Sequence, residues 1–234
     1  MKRERVKGVA DKSEFNIKNY AKEFLLFLDK HIIKKSGILF VVALLIIGIS
    51  LSFIVNVAKT DECVGTCRDG IRLFSEYGSK MSVLFVTAFA GIVPYMYAPI
   101  IGFIGSVINE VITLAYAIKG YGYFCGTLAY IVPMLINIIV ACVVAAIGIY
   151  VCNAITVGYK ISNVKNMNVI NFRIKLYEGL SREKKVKELT KKRDEKLKKL
   201  EAKKEKINYL QILNTAIVVS IIQFMSVVIQ HIVL

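Results

Sequence analysis

Residues 36–57 read SGILFVVALLIIGISLSFIVNV, a run without a single charged side chain. At about 1.5 Å per residue, a helix of that length crosses a hydrocarbon core roughly 30 Å thick. So long an apolar run sets the class of the chain as membrane-spanning. A basic region precedes it, which raises the alternative of a signal peptide. Thirty-five residues ahead of the run are too many for that, and no small-residue cleavage site closes it, so a retained first span is expected. The whole chain agrees, with 56% hydrophobic residues and a mean hydropathy of +0.56 over 234 positions.

Charge is distributed as a topology signal. Residues 1–35 hold ten Lys/Arg against five Asp/Glu, and residues 156–207 hold seventeen against seven. The rest balances: residues 59–80 carry four of each sign, and Glu110 offsets Lys119. Basic segments beside apolar spans stay on the cytoplasmic side. Residues 1–35 are therefore expected to be a cytoplasmic N-terminal segment. Its apolar stripe of Phe15, Tyr20, Phe24, Leu25, Phe27, Leu28 and Ile32 fits an amphipathic helix. Such a helix either lies in the inner interface or packs on the protein's own cytoplasmic side. Nucleic acid is not expected as a partner, because neither basic segment contains a recognised binding motif. The anionic inner leaflet of the bilayer accounts for the charge with fewer assumptions. Abundant Lys, Ile and Asn suit an AT-rich bacterial genome.

Residues 58–80 form a polar, charge-balanced loop expected outside. Residues 81–118 contain one charge, Glu110, and are just long enough for two short crossings, with Pro94, Pro99 and Gly102 at the break. Two crossings return the +10 segment to the cytoplasm, whereas one would strand it outside, so a hairpin is expected. Residues 121–157 exceed one span. Pro133 divides them into a short re-entrant helix, tolerated where protein or water covers its backbone, and a fourth crossing. Residues 158–207 form a basic cytoplasmic helical arm, with Ser181 as the cap-like start of its long helix. That helix is either a solvated face or a docking arm for an acidic partner or anionic lipid. Residues 208–234 are the fifth span, whose polar points Gln211, Asn214, Gln223, Gln230 and His231 read as helix–helix contacts. The expectation is an all-α polytopic bundle of about five spans with broken helices, N-terminus inside and C-terminus outside.

Candidate chemistry is sparse. Glu110 is the one acid inside an expected span, a proton carrier or ion ligand by default, or a partner for Lys119. Cys63 and Cys67, in CVGTC, fall in the loop assigned outside and are a candidate disulfide, tight at this spacing. Zinc is disfavoured there, because only two thiolates and no nearby His are present. Cys125, Cys142 and Cys152 read as small buried hydrophobes. His31 and His231 stand at opposite ends of the chain, and no HExxH, Ser/His/Asp set or phosphate-cradling glycine loop occurs. Neither catalysis nor a metal or other cofactor is expected.

The apolar hairpin MSVLFVTAFAGIVPYMYAPIIGFIG, then VINEVITLAYAIKGYG, then LAYIVPMLINIIVACVVAAIGIYV carry a likeness. Within residues 77–150 the chain resembles the stage II sporulation protein M family of multi-pass membrane proteins. Members show an apolar segment ending in Asn-Gly, a Gly-bearing continuation and a Leu-Pro helix leading into the next span. Asn109 stands at the Asn position, Gly120 and Gly122 in the turn, and Pro133 at the proline. Glu110 replaces the Gly and Val132 the Leu. The resemblance implies a non-enzymatic scaffold that, in endospore formers, holds peptidoglycan hydrolases at the septal membrane during engulfment. On that footing Asn109 and Pro133 would cap and stop broken helices. The rival expectation is a small ion- or proton-coupled transporter or channel built around Glu110. An accessory membrane subunit of an ABC-type exporter is a third. Self-association into a homo-oligomer stays open.

Overall fold

The computed structural model describes residues 17–58, 70–93, 98–166, 169–204 and 206–233, and every element among them is helical. Helix α1 (Ile17–Phe27) passes through a π-helical turn (Leu28–Ile33) into α2 (Lys34–Ala58). Helix α3 (Gly70–Phe89) ends in a 3₁₀ turn (Ala90–Ile92) and is followed by α4 (Ala98–Tyr121) and α5 (Tyr123–Asn166). Two short helices, α6 (Val169–Gly179) and α7 (Glu183–Glu201), precede α8 (Tyr209–Val233).

Four of these are long and apolar enough to cross a membrane: the α1–α2 rod, α4, α5 and α8. Helix α3 is not in that set. It begins at Gly70, well before the expected start at residue 81, and its stretch up to Lys80 carries Arg72, Glu76 and Lys80 itself. It nevertheless packs lengthwise against α4, α5 and α8.

Close approaches set the relative directions. Gly122, at φ +81°, makes the tight turn between α4 and α5, a conformation that costs glycine nothing. Just past it, Gly126 lies on the Ala117 backbone; at the far end of the same hairpin Gly148 lies on Pro99 and on Gly91. A side chain at Gly91 would overlap the Gly148 carbonyl. Glycine at these points lets helix backbones touch, which is how apolar helices gain contact where lipid removes the hydrophobic drive. The core lies along α4 and α5, with Phe103, Val107, Tyr130, Ile138 and Ala145 fully buried.

Pro133 does not divide α5, contrary to the expected re-entrant helix. The helix is continuous for 44 residues, about 66 Å. Breaking it inside a bilayer would orphan several N–H and C=O groups at each new end, whereas a helical proline sacrifices a single hydrogen bond. Pro133 is fully buried, and its own carbonyl accepts a hydrogen bond from Ser226 Oγ of α8 at 3.3 Å. Because α5 runs on to Asn166, the arm expected from residue 158 starts as an extension of this helix.

The end of the bundle at Tyr150 gathers the basic segments. Phe27 meets the Tyr150 ring edge-on at 5.5 Å, His31 lies 4.6 Å from it, and Lys35 Nζ sits 5.7 Å over it. The Tyr150 hydroxyl donates to the Lys206 carbonyl and accepts from the Asn208 N–H. Asn214 of α8 donates to the Tyr20 hydroxyl. Tyr20 and Phe27 thus touch α8 and α5, while Leu25 and Leu26 of the same helix stay exposed. Helix α7 folds back beside the extension of α5, with Lys165 and Glu201 paired at 3.0 Å. It buries no residue. Ser181 is not its cap: Ser181 takes φ +51° in the link from α6, and Arg182 occupies the N-cap position without a side-chain hydrogen bond.

Candidate functional site

The polar side chains of the bundle interior converge on Glu110. Its position follows from the buried face of α4, where Phe103, Val107, Glu110, Val111 and Leu114 recur at helical spacing. Glu110 is 6% exposed and points at α5 and α3. Its Oε2 accepts hydrogen bonds from Tyr130 Oη at 2.5 Å and Asn137 Nδ2 at 2.9 Å. Those two donors lie two helical turns apart on α5, which places Glu110 between them. Its Oε1 lies 3.7 Å from Lys80 Nζ of α3.

The network continues into α8. Asn137 Oδ1 accepts from Gln223 Nε2 at 3.0 Å and Ser226 Oγ at 2.7 Å. Lys80 donates to Gln230 Oε1 at 3.0 Å and lies 3.9 Å from Glu76, one turn earlier on its own helix. Asn137, Gln223, Ser226 and Gln230 are all buried, and Gln230 Nε2 has no acceptor among the described residues. Four helices thus meet through side chains whose donors face acceptors. The two ion pairs of Lys80, with Glu110 at 3.7 Å and Glu76 at 3.9 Å, are both longer than the roughly 2.7–2.9 Å of a closed charge-assisted bond.

A cavity of about 240 Å³ borders the network, lined among others by Ser79, Lys80, Ser106, Asn109, Glu110 and Gln223. Asn109 and Ser79 are exposed, so the cavity opens sideways between α3 and α4. With a cation and a carboxylate on its wall, this space suits water or a small polar ion better than an apolar ligand.

Several expectations change here. The cation facing Glu110 is Lys80, a residue expected in the outer loop. Asn109 caps nothing: it sits in the middle of α4, where Thr113 Oγ1 donates to its carbonyl at 2.9 Å. Pro133 belongs to the site through Ser226 rather than as a stop. Gln223 and Gln230 do make helix–helix contacts. Cys142 is buried, Cys152 half-buried and Cys125 exposed. Cys63 and Cys67 lie outside the described residues. Tyr130, Asn137 and Ser226 were not singled out from sequence; an Asn four residues after a proline in an apolar run was the available signal.

Comparison with known proteins finds no matching family model, no matching characterised protein and no matching solved structure.

Proposed function

We propose that the chain is a non-enzymatic integral membrane scaffold or complex subunit of a bacterial cell membrane, with residues 1–35 and 158–207 cytoplasmic and the C-terminus outside. One observation carries this reading. The interior polar groups of α3, α4, α5 and α8 are engaged with one another, in helices that run unbroken through the site. A core closed in this way fixes register and shape, as a platform for partners requires. The exposed arm α6–α7 offers one partner-facing surface, and the loop containing Cys63 and Cys67 is the other. The sporulation-family resemblance supplies the partner class, peptidoglycan hydrolases gathered on the outer face.

The test is purification of the tagged chain from its own cell in a gentle detergent, with mass spectrometry of what co-elutes. Stoichiometric cell-wall hydrolases, lost when residues 59–69 are replaced by a Gly/Ser linker, support the proposal. A stoichiometric ATPase, or no partner at any detergent condition, overturns it. The cavity beside Glu110 favours a second reading, a proton- or cation-coupled pathway. Under that reading Glu110→Gln abolishes flux in proteoliposomes. Under the scaffold reading the same variant keeps its partners, and the purified chain carries no ion flux to lose.

A further inference from the structure

Side chains of Tyr77 and Lys80 tie α3 to α8 in the outer part of their contact. There the Tyr77 hydroxyl and Ser220 Oγ are 2.5 Å apart, and the Tyr77 ring meets Phe224 edge-on at 5.4 Å. Beyond that clasp the two helices separate toward the Tyr150 end, and α5 floors the gap between them. The result is a wedge-shaped groove of about 550 Å³, lined among others by Phe85, Phe89, Ile147, Tyr209, Leu213 and Ala216. Its walls are almost wholly apolar. Phe85, Phe89 and Leu213 are each more than half exposed, so no described residue covers them.

The groove's open end is chemically distinct. It lies at Tyr209, the first residue of α8, and Tyr and Trp side chains favour the headgroup level of a bilayer. Three residues before Tyr209 ends the run Lys203-Lys204-Glu205-Lys206, net basic, whose three lysines are exposed. The Lys206 backbone is pinned beside Tyr150 by the tyrosine hydroxyl, which keeps this short basic run at the mouth. Glu201, on the same stretch, is already paired with Lys165.

An apolar slot that opens at a cationic rim has the amphipathic pattern of one class of molecule. We propose that the groove between α3 and α8 is a binding site for one anionic phospholipid, its acyl chain in the wedge and its phosphate headgroup at Lys203, Lys204 and Lys206. The bound chain would fill the splay and hold α3 against α5 below the Tyr77–Ser220 clasp. A partner's transmembrane helix needs a longer and wider trough than a wedge closed at one end provides, and a second copy of this chain would bring the same lysines to the rim and repel. The inference depends on the membrane character of the chain and on nothing in the scaffold proposal.

Native mass spectrometry tests it. The full chain is delipidated in detergent, exposed to mixed phosphatidylglycerol and phosphatidylcholine, and ejected from the micelle. The expected result is one retained phosphatidylglycerol per chain, about tenfold preferred over phosphatidylcholine, the factor that corresponds to about 1.4 kcal/mol. Ala216→Phe, which fills the wedge from α8, removes the retained lipid of either headgroup. Ala88→Phe, on the α3 wall, does the same independently, and circular dichroism shows that both variants remain helical. Replacing the three lysines with Gln leaves a lipid bound but erases the headgroup preference. Equal retention of the two lipids by the native chain overturns the proposal, as does unchanged retention in both phenylalanine variants. A change of oligomeric mass on Ala216→Phe overturns it too, by assigning the groove to a second copy.

Discussion

Replacing Glu110 with Ala removes three interactions at once, and the structure ranks them. The Lys80 and Glu110 side chains are 15% and 8% exposed and 3.7 Å apart. At an effective dielectric of about 20, unit charges at that separation attract by about 4.5 kcal/mol before desolvation is counted. Much of this is offset, because both ions left water to reach the site. The hydrogen bonds from Tyr130 and Asn137 add about 0.6 kcal/mol each, the typical value between membrane helices. Glu110→Ala takes the nearer carboxylate from Lys80, leaving it Gln230 and Glu76, and strands two donors, so a loss of about 3 kcal/mol is expected. Glu110→Gln keeps an acceptor for Tyr130 and loses only the charge, so about 1 to 2 kcal/mol is expected. The decisive comparison is Glu110→Leu with Lys80→Met in one chain. Removing both charges leaves only the more exposed Glu76 without its lysine, and this double variant is expected to be more stable than Glu110→Ala alone. Reversible unfolding by SDS titration in mixed micelles, run as a double-mutant cycle of Lys80→Met and Glu110→Gln, measures the coupling directly. A coupling below about 0.5 kcal/mol, within ordinary additivity, would refute the claim that these two charges form the core's electrostatic link.

Other substitutions probe the same architecture from different directions. Gly91→Ala puts a methyl group into the Gly148 backbone and is expected to cost about 2 to 3 kcal/mol in the same titration. Gly105→Ala, on the same bundle but facing open space, is expected to be neutral or to stabilise by about 0.5 kcal/mol. Asn137→Leu removes one donor bond to Glu110 and two acceptor bonds from α8, so about 2 kcal/mol is expected, with α8 the first helix to lose protection in hydrogen exchange. On the exposed arm, the hydrogen bond and charge of Lys192 hold the Glu188 carboxyl below its ordinary value. A carboxylate whose folded pKa is depressed supports the helix above its unfolded pKa and loses that support as pH falls through the folded one. Carbon-13 NMR should therefore find Glu188 titrating lower than in Lys192→Gln, and equal titration would remove the contact.

What was legible in the sequence was whatever depends on neighbours along the chain. The apolar run 36–57, the last span and the turn near residue 120 are local signals, and they correspond to α2, α8 and the Gly122 corner. Pro133 misled because its local effect is real but small beside the alternative. In water a break exposes backbone to solvent, whereas in a bilayer it orphans it. Asn109 and Ser181 misled for the opposite reason. Both residue types favour caps, and here the helices simply start elsewhere. Lys80 was invisible because it closes a polar stretch and so reads as loop. Its partner Glu110 is thirty residues away, and no periodicity links them. The cation that meets Glu110 is on the preceding helix, not Lys119 of its own helix.

That correction bears on how many times the chain crosses. Length and apolar character alone count four helices, with α3 left out because of Arg72, Glu76 and Lys80. Tertiary contacts add a fifth pass along the bundle itself. Both basic segments meet at Tyr150, residues 27–35 through aromatic and cation contacts and residues 206–208 through its hydroxyl. Leaving one end of a bundle and returning to it requires an even number of passes. Between Lys35 and the extension of α5 the chain runs along α2, α3, α4 and α5, so α3 must count. Its direction agrees: Lys80 lies level with Glu110 in the interior, and Thr87 packs on Gly102 and Gly148 near the Pro99 end. A helix carrying Arg72, Glu76 and Lys80 can make that pass because Lys80 is taken up by Glu110 and Gln230 and Glu76 lies one turn from it. The polar network is therefore what allows an otherwise too polar segment to run through the bundle. By the same logic, loss of Glu110 should weaken α3's place in the bundle before it disturbs α4, on which Glu110 itself stands.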